Sequence, residues 1–368
     1  MKKHLHGPSR YFATDKNIFD ALNQHKVDIP TIMELFGRRN IIVGKKTPRE
    51  ALANYFARLP HDYYDHKDIS ARLGIAPRRE RITSMDVTGV GEKEELQIAV
   101  EQLKQELEAV GEVVHVSSEG DNLAVHVQYS TVDYKLNEFS QVQVRDGTVE
   151  FVKSAEGYVV RNTQNDYMND VRETLLGKIE TATEVPLTKA TVSLFDIPSP
   201  KLRSKFFHEL VTNLPGYQRL DVTDVYIYKA KPDDDADDST SSDPDTHVER
   251  VFLRGNGVTR SELLNDLLDK EDYYIIKIGW ATKEITGAGD VYDIEAVFAD
   301  PKDCTGFSFI LSRVFPAEEG KVSPTHRRPP SKVEINAISR VIESKSRDLV
   351  IKLREEFAQS SAGVSDAY

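Results

Sequence analysis

The chain is poor in cysteine and has no long apolar run. Cys304 is its only cysteine, which excludes a disulfide framework and a zinc site built from several thiolates. No stretch approaches the ~18 consecutive apolar residues of a membrane-spanning helix. The charged N-terminal residues are not followed by the apolar core of a secretory signal. We therefore expect a cytoplasmic protein that makes no contact with a membrane.

Charge is distributed unevenly along the 368 residues. The whole chain carries 48 lysine and arginine residues against 60 aspartate and glutamate residues. Residues 1–81 hold 16 of the basic and 9 of the acidic residues, so this segment is basic and the remainder is strongly acidic. A basic segment of this kind favours a polyanionic partner such as nucleic acid, and the alternative is docking against an acidic protein surface, including the rest of the same chain.

Helical patterns dominate the basic segment. Apolar residues at helical spacing predict a helix from about Thr31 to Arg39, and a second helix follows Thr47. Thr47 is the predicted N-cap of that second helix, with Pro48 as its first residue. A further short helix is expected to end near Leu73, before a group of basic residues. That ending is typical of a helix-turn-helix and of any helix capped by glycine.

Residues 31–59 carry the clearest indication of a binding function, because they form a helix, a basic extended link and a second helix. This segment resembles the helix-extended-helix modules of the SAP type, and the residues that carry the resemblance are Leu35, Gly44, Lys45, Lys46 and Leu52. The resemblance implies contact with the DNA backbone. It covers fewer than 30 residues, and the Thr-Pro pair at the start of the second helix departs from the family pattern.

The predicted phosphate contacts are basic side chains, because lysine and arginine release counterions when they bind nucleic acid. These side chains are Arg38, Arg39, Lys45, Lys46, Arg49, Arg72, Arg78 and Arg79. No catalytic residue, no cofactor and no metal ligand is predicted.

Beyond Arg81 the pattern changes to short strands separated by single helices. Three segments, which begin near Ile82, Thr191 and Val251, each predict a strand, an amphipathic helix and further strands. Between the first two, Asp146-Gly147 and Glu156-Gly157 predict the turns of an antiparallel meander. The predicted fold class is therefore α+β, with a basic N-terminal helical domain, an antiparallel or mixed sheet body of recurring β-α-β-β units, and a C-terminal helix.

We expect four segments along the chain. They are a basic helical domain at 1–81, a first α+β unit with a β-meander at 82–185, a second α+β region at 186–325, and a linker with an amphipathic helix at 326–368. Within the third segment, an acidic loop at 232–247 contains seven aspartates and no large apolar residue, which predicts disorder. Ser331 and Glu334 have the spacing of a capping box at the start of the C-terminal helix.

Other chemistry has weaker support in the sequence. Two glycine pairs, Gly89-Val90-Gly91 and Gly255-Asn256-Gly257, lie between strands and helices but lack the remaining residues of a phosphate-binding loop. His61 and His66 stand among aspartates, which suits either zinc or a solvated polar loop. Asp293 and Glu295 alternate along one strand, an arrangement that suits a magnesium ion in a nuclease.

Three functional hypotheses follow from these observations. The first is a non-enzymatic protein that contacts nucleic-acid phosphates through its N-terminal domain, while its acidic body or C-terminal helix binds a protein partner or a second copy. The second is a structural or regulatory subunit that makes no contact with nucleic acid. The third is a metal-dependent phosphodiesterase or nuclease that uses Asp293 and Glu295.

Overall fold

The computed structural model describes residues 13–73, 80–230, 248–286, 289–317 and 326–365. The chain divides into two compact units, neither of which is continuous in sequence. Unit 1 contains residues 1–78, 91–149 and 173–182, and unit 2 contains residues 79–90, 150–172 and 183–368. The acidic loop predicted at 232–247 lies outside the described residues.

The architecture is α+β, as the sequence predicts. The helices are α1 (Asp15–Leu22), α2 (Ile29–Gly37), α3 (Arg49–Ala57), α4 (Tyr63–Leu73), α5 (Lys93–Ala109), α6 (Asp166–Thr183), α7 (Pro200–Thr212), α8 (Glu262–Lys270) and α9 (Lys332–Ser365). The strands are β1 (Ile82–Thr88), β2 (Val113–Glu119), β3 (Asn122–Val132), β4 (Val142–Lys153), β5 (Tyr158–Thr163), β6 (Thr188–Thr191), β7 (Tyr217–Tyr228), β8 (Arg250–Arg254), β9 (Tyr274–Glu284), β10 (Val291–Asp300) and β11 (Thr305–Phe315).

Helices α1 to α4 enclose an apolar core in unit 1. Their inward side chains recur every three or four residues, so that each helix buries one face. The largest of these buried side chains are Ile18, Leu22, Ile32, Leu35, Phe36, Leu52, Phe56, Ile69 and Leu73. The side chains of Thr14 and Asp28 cap α1 and α2 by accepting hydrogen bonds from backbone N–H groups of the first turn. The shared core places α2 and α3 at the two ends of the basic link, residues 38–48.

The predicted meander is only partly correct. Ser154 N donates to Gly157 O at 3.0 Å, so the turn at Glu156-Gly157 is confirmed. The predicted turn at Asp146-Gly147 is wrong, because both residues lie inside the single long strand β4. Gln128 of β3 donates to the carboxylate of Asp146 at 3.1 Å. Pairing along the strand outweighs the local turn preference of Asp-Gly.

The strands of unit 2 form an antiparallel sheet whose neighbours run β5-β1-β11-β10-β9-β7-β8, with β6 paired to the end of β1. One face of this sheet carries the apolar core. Phe298 and Phe307 on β10 and β11 contact Phe206 of α7, with ring centroids 5.4 and 5.5 Å apart. β10 alternates between half-buried and buried positions from Val291 to Phe298, so Asp293 and Glu295 lie on the face opposite this core.

Helix α9 packs on unit 2 through a mixed apolar and polar face. Its capping box is confirmed, since Ser331 N donates to the Glu334 carboxylate at 2.7 Å and Glu334 N donates to the Ser331 hydroxyl at 3.4 Å. Glu343, in the middle of the helix, receives two hydrogen bonds of 2.6 and 2.7 Å from Arg161 of β5. The side chains of this ion pair are only 4% and 2% exposed. The pair therefore fixes the position of α9 on the sheet.

Removing one partner of this ion pair should loosen α9. We expect Glu343→Gln to destabilise unit 2 by about 3 kcal/mol, because Arg161 then stays buried without a counter-charge. Urea unfolding followed by circular dichroism measures the change. Glu355→Gln, at an exposed position of the same helix, is the matched control and should leave the curve unchanged. Equal curves for wild type and Glu343→Gln would contradict the assigned role.

Candidate nucleic-acid interface

The link between α2 and α3 presents two lysines at the tip of a turn. Thr47 N donates to Gly44 O at 3.0 Å and closes the turn, so Lys45 and Lys46 occupy its two central positions. Both side chains are exposed, and no carboxylate of the described residues lies within ion-pair distance of either. Their ammonium groups are therefore available to an anion from solvent.

The helix behind this turn begins one residue later than the sequence predicts. α3 starts at Arg49, and Pro48 is its N-cap instead of its first residue. Thr47 does not cap the helix, because its backbone closes the preceding turn and no side-chain cap bond forms. No side chain of the described residues caps the first turn of α3, and its N–H groups add partial positive charge next to the lysine turn.

The same link exposes an apolar residue that the sequence analysis did not single out. Ile42 is 98% exposed, whereas Ile41 and Val43 pack in part against the apolar core of α1 to α4. This alternation indicates an extended segment whose middle side chain points away from the core. The available signal was the Ile-Ile-Val triplet, since the middle residue of an extended triplet points away from its two neighbours, but sequence alone does not show which side is buried.

Arg39 is a structural residue and not a surface cation. Its guanidinium donates to both carboxylate oxygens of Asp65, to Pro60 O at 2.5 Å and to Leu35 O at 3.4 Å. It also lies 4.5 Å from the ring centroid of Phe56. Burial acts to raise the pKa of Asp65, but the bonds from Arg39 and from the Asp62 backbone outweigh it and hold the pKa below its ordinary value. Arg39 is therefore not available to a phosphate group.

Arg49 also serves the fold. Its Nη1 atom donates to Leu22 O and Gln24 O at 3.0 Å each, and to Val27 O. These carbonyl groups lie at and just beyond the end of α1, where backbone acceptors have no partner within the helix. The guanidinium group thus closes the end of α1 and joins it to the start of α3.

The remaining predicted cations differ in their surroundings. Arg38 is 45% exposed and pairs with Glu34 at 2.9 Å and with Asp68. Arg72 is exposed near the end of α4, with no ion-pair partner among the described residues. Arg78 and Arg79 lie outside the described residues. Among the described residues, Lys45, Lys46 and Arg72 form no ion pair, although the charge of Arg72 acts on Asp28, whereas Arg38, Arg39 and Arg49 have partners within unit 1.

The histidine pair considered for zinc does not lie in a solvated loop. His66 is 6% exposed and packs edge-on against Phe139, with centroids 5.8 Å apart. Burial lowers the pKa of His61, whose Nε2 atom lies 3.3 Å from Ala57 O. Among the described residues, no group of three or more His, Cys, Asp or Glu side chains is arranged to hold a metal ion.

The carboxylates considered for a nuclease are engaged in ion pairs. Glu295 lies 2.7 Å from Lys277 Nζ and also pairs with Arg81. Burial acts to raise the pKa of Glu295, but these two cations outweigh it and hold the pKa below its ordinary value. Asp293 lies 3.8 Å from Arg313, and burial raises the pKa of Asp293. Two carboxylates held by three cations offer little to a magnesium ion.

The glycine pairs do not form phosphate cradles. The N–H of Gly257 donates to both oxygens of Asp221, at 3.1 and 3.2 Å, so a carboxylate of the chain already occupies that position. Glu92 and Glu95 form a capping box at the start of α5, directly after Gly91. Carboxylates at that helix start repel a phosphate group.

Comparison with known proteins identifies no family for the chain. A scan against protein-family models finds no match to the chain, and a search of curated proteins finds no similar sequence. Among the described residues, no helix combines the length and the apolar character required to cross a bilayer.

The structural role of Arg39 is open to a direct test. We expect Arg39→Ala to destabilise unit 1 by about 3 kcal/mol, because Asp65 is then buried without its cation. Thermal unfolding followed by circular dichroism measures the loss. Arg58→Ala removes an exposed arginine nearby and should change stability by no more than about 0.5 kcal/mol. Similar melting curves for the two variants would contradict the assignment.

Proposed function

We propose that this protein contacts the phosphate backbone of nucleic acid through the turn at Gly44–Thr47 and has no catalytic role in that contact. The observation that carries the proposal is the pair of exposed lysines, Lys45 and Lys46, at the tip of a hydrogen-bonded turn ahead of an uncapped helix start. The resemblance of residues 31–59 to SAP-type modules supports duplex DNA as the nucleic acid that is bound.

The chemistry of the turn suits phosphate more than base recognition. Lysine ammonium groups act as point charges with freely rotating donors, and the N–H groups at the start of α3 are aligned along the helix axis. Neither provides the planar, bidentate pattern that reads a base edge in the major groove. We therefore expect binding that weakens as salt is raised and that depends little on sequence.

The contact is small, and this limits its strength. Of the predicted cations, Arg39 and Arg49 are held inside unit 1, which removes two of the charges expected to meet DNA. A few phosphate contacts give a shallow dependence of affinity on salt, since each contact releases about one counterion. The body of the protein, which carries the acidic excess, is proposed to provide a separate surface for a protein partner or a second copy.

Replacing the two lysines tests the proposal. We expect Lys45→Ala with Lys46→Ala to weaken binding of the full-length chain to a labelled DNA duplex and to reduce the slope of log Kd against log salt by about 2, because two phosphate contacts are lost. Fluorescence anisotropy over a salt series measures both quantities.

A charge-matched control separates local contact from net charge. Lys201 and Lys302 are exposed lysines of unit 2, and their double replacement by alanine should leave the duplex curve unchanged. If the wild-type chain does not bind the duplex at about 50 mM salt, or if the two double variants lose binding equally, the turn is not the contact site.

A substitution at Ile42 tests the same contact without changing the charge of the protein. An exposed isoleucine beside two lysines is suited to enter the minor groove of DNA, where architectural proteins insert apolar side chains between base steps. We expect Ile42→Ser to weaken duplex binding at every salt concentration without changing the salt slope, because no charge is lost. Val333→Ser removes another exposed apolar side chain, 77% exposed on α9, and should have no effect. A changed slope in Ile42→Ser would contradict this role.

A further inference from the structure

The edge strand of the unit 2 sheet carries an unusual alternation. Along β8, Arg250, Phe252 and Arg254 are exposed, whereas Val251 and Leu253 pack against the apolar core. β8 is the last strand in the sheet order. One face of this edge therefore presents an aromatic ring with an arginine on each side, and the opposite face serves the core.

The ring at the centre of this row is held in place by its neighbour. Phe252 lies directly opposite Tyr226 of β7, and the two rings stack with centroids 4.1 Å apart and an angle of 26°. Lys277 Nζ lies 4.7 Å from the Tyr226 centroid and is itself bound to Glu295 at 2.7 Å. Phe252 nevertheless remains 45% exposed. The stack uses one face of the Phe252 ring, and the residue keeps almost half of its surface exposed.

The carboxylates that the structure describes on this face are already engaged. Asp224 accepts a hydrogen bond of 2.9 Å from Thr223 and lies 3.2 Å from Nε of Arg254. Glu295 is held by Lys277 and Arg81. The contact with Asp224 uses one nitrogen of Arg254, whose side chain is 71% exposed, so the other donors of the guanidinium group face water. Arg250 is 64% exposed, with Glu249 at 3.8 Å.

An exposed aromatic ring with an arginine on each side is suited to bind an unpaired nucleotide. A base offers a flat π face that stacks on an exposed aromatic ring, and its phosphates bind to guanidinium groups on either side. Successive outward residues of a strand are about 6.6 Å apart, a spacing comparable to that of phosphates in an extended single strand. A duplex, whose bases are already stacked on each other, has no free face to offer.

We propose that Arg250, Phe252 and Arg254 form a binding site for single-stranded nucleic acid, in which a base stacks on Phe252 and the neighbouring phosphates contact the two arginines. This site is independent of the turn at Gly44–Thr47, because it recognises unpaired bases and lies in unit 2. Failure of either proposal leaves the other standing.

The test uses the full-length chain and a fluorescein-labelled oligothymidylate of about 20 nucleotides, measured by anisotropy. We expect Phe252→Ala and Phe252→Leu to weaken binding by about tenfold or more, because neither offers a π face, and Phe252→Trp to bind as well as wild type. Leu263→Ala removes an exposed apolar side chain of α8 and should not alter binding. Arg250→Ala with Arg254→Ala should reduce the salt slope by about 1 to 2.

Two parallel measurements give the proposal clear failure points. Duplex binding should be unchanged in Phe252→Leu, and melting curves should match wild type. Wild-type binding of the oligothymidylate by Phe252→Leu would overturn the proposal. So would a change in sedimentation velocity on replacing Phe252, because it would show that a second copy of the chain covers this face. Weakening by Phe252→Leu without rescue by Phe252→Trp would also overturn it, because the site would then require the shape of phenylalanine and not its π face.

Discussion

The guanidinium group of Arg39 determines how the N-terminal helices fit together. It lies at the end of α2, pairs with Asp65 of α4 and covers the ring of Phe56 on α3, so three helices meet at one charge. This cation cannot turn outward to a phosphate group, because Asp65 is 6% exposed at its side chain and would stay buried without a counter-charge. The cations that remain available to an anion in this unit are those that do not compensate a buried carboxylate.

The same constraint applies in unit 2, where carboxylates position cations. Glu343 holds Arg161 beneath α9, Glu295 holds Lys277 and Arg81 on the opposite face of the sheet, and Asp224 holds Arg254 at the edge. Each pair removes a negative charge from the surface, so the acidic excess of the remainder of the chain is not spread evenly over it. A face of an acidic protein can therefore present arginines and an aromatic ring to an anion.

The helices and the fold class followed from patterns that act over short distances. Apolar residues at helical spacing located α2 and α3, and the Ser331–Glu334 capping box located the start of α9. These predictions succeeded because a helix closes its own hydrogen bonds within a few residues. The turn predicted at Asp146-Gly147 was wrong because β4 continues through this position. Pairing with a neighbouring strand, which the local sequence does not show, outweighs the preference of two residues for a turn.

Some features of the candidate sites could be predicted from the sequence, and others depend on the tertiary structure. The amino-acid sequence alone determined the α+β class, the basic character of the first 81 residues and the presence of Lys45 and Lys46 beside a helix start. Only the tertiary structure decided that Arg39 and Arg49 serve the fold, that Ile42 faces solvent, and that Phe252 stacks on Tyr226 between two exposed arginines. The reason is that the availability of a charge or a ring depends on which side chains surround it, and those come from elements that are far apart in the chain.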